Sequence, residues 1–158
     1  MKPTVYLETT IPSYLTAWPS RDLVRAAHQQ LTREWWETRE AFSLFVSQAV
    51  LDEVGRGDPD AAARRLASLQ DVPVLGTTLD AIGLAEALVA GVPLPPKAAV
   101  DALHVAVAAT NGIDYLLTWN CMHIANATLR NRIEHVCRSL GYEPPVICTP
   151  ETLTGGEP

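Results

Sequence analysis

Residues 98–120 read AAVDALHVAVAATNGIDYLLTWN. The stretch over residues 97–112 is almost free of charge and long enough for a helix, and Asn111-Gly112 closes it as a helix stop. "DYLLTW", residues 114–119, is short and apolar, as a buried strand is. An apolar helix feeding a buried strand is the building unit of a parallel sheet, because parallel neighbours need a crossover between them.

Outward from there the same alternation repeats. "TVYLE" (4–8) predicts a first strand and "FSLFVS" (42–47) a second. Between them, residues 20–40 predict a long amphipathic helix with Ser20 as N-cap and Leu23, Ala27, Leu31 and Trp35 at helical spacing. Trp35 and Trp36 are expected in packing. "QAVLDEVGRG" (48–57) predicts a short helix, and residues 58–70 another, capped by Asp58 with Pro59 in its first turn. "VPVLG" (72–76) is a brief third strand and residues 78–91 a helix ending at Gly91. "VPLPP" (92–96) connects to the apolar helix. Beyond residue 120, residues 126–141 predict a helix and "PVICTP" (145–150) a last strand. The expected fold is α/β: a central parallel sheet of four to five strands flanked by helices, in one domain over residues 1–153 with a polar tail at 154–158.

Composition narrows the function classes. The chain has 158 residues, 47 % of them hydrophobic and 19 % charged, with a formal net charge of −6. A protein that coats nucleic acid is usually basic, whereas a cleft that holds metal cations needs local negative charge. Any grip on a polyanion is therefore expected from a local basic rim, with Arg21, Arg25, Arg130, Arg132 and Arg138 as candidates. Cys121, Cys137 and Cys148 form no CxxC pair, so incidental thiols are expected. No glycine-rich phosphate loop is present. No signal peptide and no apolar run of roughly 18–20 residues is seen, so a cytoplasmic location without membrane partners is expected.

Four residues fall where ligands bind in such sheets, beyond the carboxyl ends of the strands. Glu8 ends the first strand. Glu53 sits on the helix after the second, among Val50, Leu51 and Val54, with Asp52 as the alternative beside it. Asp101 is the single charge in an otherwise apolar helix, and an unpaired buried carboxylate is very costly. Asn120 follows the fourth strand. These four can converge on one cleft, where a hard divalent cation such as Mg²⁺ or Mn²⁺ makes the oxygen ligands tolerable. Thr9, Thr10 and Ser13 follow Glu8, as a turn or N-cap, or else to orient its carboxylate or bind phosphate. Thr118 is expected on the strand face shared with Asn120. His104, three residues after Asp101, shares its helix face and is expected to pack or to hydrogen-bond a ligand.

In order and spacing, "VYLETTIPSYL", "DALHVAVAATNGIDYLLTWNCMHIAN" and "VICTPETL" resemble the PIN-domain family, VapC-type toxin ribonucleases of toxin–antitoxin pairs. The resemblance implies an α/β/α fold and a Mg²⁺- or Mn²⁺-dependent endoribonuclease. It also implies a homodimer and a cognate antitoxin that blocks the site. By position Glu8, Glu53 and Asp101 match the acidic metal ligands and Asn120 the fourth site residue. Two departures stand out: Glu8 replaces the usual Asp, and Asn120 replaces an Asp and removes a charge. Within "TWNCMHIAN", His123 or Asn126 is expected to assist. The rival expectation is a catalytically degenerate PIN-like module that binds RNA or protein. An aspartyl phosphatase is disfavoured, because "LETT" supplies no DxD after the first strand.

Overall fold

The computed structural model describes residues 1–154; residues 155–158, most of the expected tail, lie outside the described residues. Five strands carry the fold: β1 (Thr4–Leu7), β2 (Ser43–Ser47), β3 (Val74–Leu75), β4 (Tyr115–Leu117) and β5 (Val146–Cys148). Seven α-helices connect them: α1 (Thr10–Thr16), α2 (Leu23–Glu37), α3 (Gln48–Val54), α4 (Pro59–Ser68), α5 (Leu79–Gly91), α6 (Ala99–Thr110) and α7 (Ala127–Ser139). The sheet is wholly parallel, in the order β3-β2-β1-β4-β5.

The strands read as continuous apolar runs because helices cover the sheet on both faces. Val5, Tyr6, Leu7, Val46, Leu116 and Leu117 are all fully buried. Helix α5 packs on both α6 and α7, while α1 packs on α2 and α4. Helix α6 is apolar nearly all round, as a helix inside a protein must be. It ends in a left-handed turn at Gly112, φ 66°, where the Ile113 amide returns to the Ala108 carbonyl at 3.0 Å, a conformation that glycine adopts without strain.

The chain runs outward from β1 through β2 to β3, then crosses back to add β4 on the other side of β1. That reversal opens a crevice at the carboxyl ends of β1 and β4. Leu7 pairs with Leu117, the last residue of each strand. The next residues, Glu8 and Thr118, therefore leave the sheet side by side.

The structure corrects three sequence expectations. The cap of α2 is Asp22, whose carboxylate accepts from the Arg25 amide at 2.9 Å. Ser20 sits upstream and accepts from the Asp22 amide at 3.1 Å. Residues 10–16 form a full helix, with Thr9 at its N-cap position, where the sequence suggested no more than a turn or a cap. Pro12 lies in its first turn, where a missing N–H costs nothing. Strand β4 stops at Leu117, so Thr118 and Asn120 belong to a turn in which the Asn120 amide donates to Thr118 Oγ1 at 2.9 Å.

Candidate active site

Glu8 is only 3 % exposed. Its Oε1 accepts three hydrogen bonds: from the Thr10 amide at 3.1 Å, Thr10 Oγ1 at 2.5 Å and Thr118 Oγ1 at 2.7 Å. Thr10 Oγ1 in turn accepts from the Trp119 amide at 2.8 Å, so the segments after β1 and β4 are tied together at this carboxylate. Among the described residues, the hydrogen bonds to the Glu8 side chain all reach Oε1 and none reaches Oε2. Burial pushes the Glu8 carboxyl above its ordinary value, against nearby His104 and the hydrogen bonds from Thr10 and Thr118, which favour the charged form.

Glu53 reaches the same place from α3, which starts directly at the end of β2. Ser47 closes β2 and caps α3, accepting from the Val50 amide at 3.4 Å. Val50 and Val54 are buried against the core, which aims Glu53 inward; Asp52 is exposed and accepts from Gln48 at 2.9 Å. Glu53 Oε1 accepts from Thr9 Oγ1 at 2.5 Å and meets His104 Nε2 at 2.6 Å. Burial pushes this carboxyl up too, but the bonds from His104 and Thr9 outweigh it and hold Glu53 below its ordinary value.

His104 is fully buried and both its ring nitrogens are engaged. Nδ1 meets the Tyr6 hydroxyl at 2.7 Å, and that hydroxyl meets Ser47 Oγ at 2.7 Å. The Val50 amide can only donate to Ser47. The ionised Glu53 can only accept, so His104 Nε2–H donates to it, and the Tyr6 and Ser47 hydroxyls continue the chain from His104 Nδ1. Every member of the chain is hydrogen-bonded. The ligand atoms of Glu8, Glu53 and His104 lie within 4.8 Å of one another. Since both imidazole nitrogens are committed, the two carboxylates are the groups left to hold a cation, and His104 acts by orienting Glu53.

The donor set fits Mg²⁺ or Mn²⁺, which prefer oxygen. Oε2 of Glu8, which accepts no hydrogen bond from the described residues, is left for such an ion. Asp101, in the first turn of α6, stands outside this trio: its Oδ2 meets His123 Nδ1 at 2.9 Å. Asn120 accepts from the His123 amide through Oδ1 at 3.0 Å, so it shapes the turn that brings His123 to Asp101. Asn126 caps α7, accepting from the Thr128 amide at 2.9 Å. Ser13 donates to the Thr9 carbonyl at 2.9 Å, which braces the residue that holds Glu53.

The roles of Tyr6 and Ser47 escaped the sequence reading. Both look like ordinary strand residues, and the signal was a polar hydroxyl on each of two adjacent buried strands. Of the candidate basic rim, Arg138 is taken up by Glu143 at 3.0 Å and Glu134 at 3.5 Å, whereas Arg130 and Arg132 are exposed on α7.

No protein-family model matches the chain, and no curated protein matches it. Solved structures do. The Mycobacterium tuberculosis toxin VapC20, described as sarcin–ricin loop cleaving, superposes with a TM-score of 0.61 at 20 % identity, over 78 % of this chain and 95 % of that one. A chain of VapBC2 from Rickettsia felis, bound to a DNA fragment from its promoter, superposes with a TM-score of 0.58 at 12 % identity, over 92 % of this chain and 98 % of that one. The chain thus shares its fold, a parallel five-stranded sheet flanked by seven helices, with the VapC toxins.

Proposed function

We propose that this chain is a PIN-domain endoribonuclease of the VapC type, the toxin of a toxin–antitoxin pair, which hydrolyses RNA phosphodiester bonds with Mg²⁺ or Mn²⁺. The observation that carries the proposal is the meeting of Glu8 and Glu53 at the switch point of the sheet, with the three protein hydrogen bonds to Glu8 all made to Oε1. The nuclease unit spans residues 1–153.

Glu8, Glu53 and Asp101 hold the metal in this reading, and Asn120 holds a water or the substrate. When bound, a divalent cation activates water and stabilises charge on the phosphoryl oxygen. Thr10 and Thr118 fix the Glu8 carboxylate, while Thr9 and His104 fix that of Glu53. Asp101 shares a helix face with His104, three residues on, which supports its place as third carboxylate. His123 orients it.

RNA as substrate and an antitoxin as partner are supported by the shared fold with a sarcin–ricin loop cleaving toxin and with a chain of a VapBC complex. A homodimer is supported by an apolar groove of about 460 Å³ between α5 and α6, lined by Ile82, Ala85, Val89 and Leu103. The reading puts the protein in the cytoplasm. Among the described residues, no helix is long and apolar enough to cross a membrane.

One observation favours a second reading, the catalytically degenerate module that binds RNA or protein: the Asn120 carbonyl is already engaged by the His123 amide. The experiment that separates the two is cleavage of a mixed RNA pool with Mg²⁺, Mn²⁺ or EDTA, beside an Asp101→Ala variant. Metal-dependent cleavage that the variant loses is expected. No cleavage and no metal binding would leave the binding module.

A further inference from the structure

Trp18 is the one aromatic side chain among the described residues that is mostly exposed, at 74 %. It follows α1, and the segment that carries it is firmly held. Gln29 of α2 is 2 % exposed; its Nε2 donates to the Trp18 carbonyl at 3.1 Å and its Oε1 accepts from the Ser20 amide at 2.9 Å. Arg33 reaches the Ala17 carbonyl at 3.4 Å, and Pro19 restricts the backbone between the Gln29 contacts. A buried amide thus clamps both sides of an indole that faces water.

The indole is also half of a stacked pair. The Arg64 guanidinium lies 4.8 Å from the ring centroid, and its Nε donates to the Thr16 carbonyl at 3.3 Å. With Arg64 on one face, the exposure of Trp18 leaves the other open. The pair borders a cleft of about 410 Å³ between α1 and α4, lined also by Ser13, Thr16, Asp58 and Asp60.

This cleft adjoins the carboxylates through two short links. Ser13 bonds to Thr9, the residue that donates to Glu53. Arg65, on the cleft wall, donates from Nε to the Val54 carbonyl at 2.9 Å, one residue past Glu53. The chain has a second such pair, Arg39 over Trp36 at 4.7 Å. That pair borders a cleft with Phe42 and Pro73, at the amino ends of β2 and β3 and so at the far edge of the sheet, and Trp36 is half-buried.

We propose that Trp18 and Arg64 form a preorganised platform on which an unpaired base of the RNA substrate stacks, beside the bond to be cut. The proposal rests on the RNA-cleaving reading above. Stacking on an aromatic face is how proteins take single-stranded bases, and the guanidinium behind the ring adds a cation–π contact. The walls carry Asp58 and Asp60 as well as Arg64. Such a mixture suits the donor and acceptor edge of a base, whereas a phosphate would meet two carboxylates.

The test is equilibrium binding of an end-labelled single-stranded RNA at low ionic strength in EDTA, where no cleavage intrudes. An abasic ribose–phosphate strand of equal length is the comparator. Trp18→Ala is expected to weaken RNA binding about tenfold and Trp18→Phe only about two- to threefold, in line with the stacking energies of aromatic side chains. Neither is expected to change binding of the abasic strand. Trp18 is exposed, so both variants keep the fold, which thermal unfolding checks. Wild-type binding by Trp18→Ala, equal losses on both strands, or no RNA binding by the wild type would each overturn the platform. Cleavage by the wild type in Mn²⁺ is scored separately. Cleavage with Trp18-independent binding leaves the nuclease and removes the platform; Trp18-dependent binding without cleavage does the reverse.

Discussion

Glu53 and His104 lie 51 residues apart in the chain and meet at 2.6 Å, through Glu53 Oε1 and the Nε2 of a fully buried imidazole. The bond keeps Glu53 ionised beside a second carboxylate that burial drives the other way. Environments that push two acids apart are a mark of functional sites.

The first prediction concerns that bond. Because the folded value of Glu53 is lowered, its contribution to stability is present above the ordinary carboxylate range and is lost as pH falls through the lower folded value. His104→Ala removes it, so the acid limb of both unfolding and activity moves to higher pH. Leaving the Tyr6 hydroxyl without its imidazole partner adds about 1–3 kcal/mol of destabilisation. Tyr6→Phe removes both bonds of that hydroxyl, to Ser47 and to His104, and costs about 1–3 kcal/mol. Urea unfolding across acid pH measures both.

Glu8 has the opposite sign. Its folded value is raised by burial, so its contribution to stability is full below the ordinary carboxylate value and is lost as pH rises through the folded one. At neutral pH without metal, Glu8→Gln is therefore expected to stabilise the fold; each kcal/mol gained raises Tm by about 2–4 °C. The same variant loses the Tm rise that Mn²⁺ gives the wild type, and it loses cleavage. Thermal scans with EDTA and with Mn²⁺ read both effects, and a destabilised metal-free variant would contradict the account of Glu8.

Thr118→Val keeps the shape of the side chain and removes a donor to Glu8. Misorienting a ligand through its bracing partner typically costs about 10–100-fold in metal affinity or activity, and that loss is expected here. Isothermal titration with Mn²⁺ checks it. A change below twofold would mean that Thr10 alone holds the carboxylate.

Asn120→Asp restores a negative charge and keeps the acceptor for the His123 amide, since Asp caps a turn as well as Asn does. Tighter metal binding and unchanged stability are expected. Asn120→Ala loses the cap, costing about 1 kcal/mol, and frees His123 from Asp101. If cleavage by the Asp variant does not exceed that of the wild type, charge at this position is not limiting.

Much of the fold was legible before the structure. The five apolar runs and the helices between them follow from period and punctuation, and Asp58-Pro59 and Asn111-Gly112 mark helix ends through local chemistry. Helix α1 was not legible, because Thr9, Thr10 and Pro12 read equally well as a turn, and only packing against α2 and α4 decides. Within the site, Glu8 stood out as a carboxylate at a strand end. That His104 bonds to Glu53 and Asp101 to His123 depends on distances between elements, which residue spacing along one helix cannot supply.

The sheet order also sets a timetable. Strand β1 is made first but lies between β2 and β4, and Glu8 is held by Thr118, 110 residues later in the chain. During synthesis Thr10 follows at once, but Thr118, the other brace of this carboxylate, comes 110 residues later. A nascent or prematurely terminated chain ending before β4 carries Glu8 and Glu53 without the geometry that joins them. If the protein cleaves RNA, a fragment that ends before β4 lacks the Thr118 brace on Glu8 and is expected to be inactive.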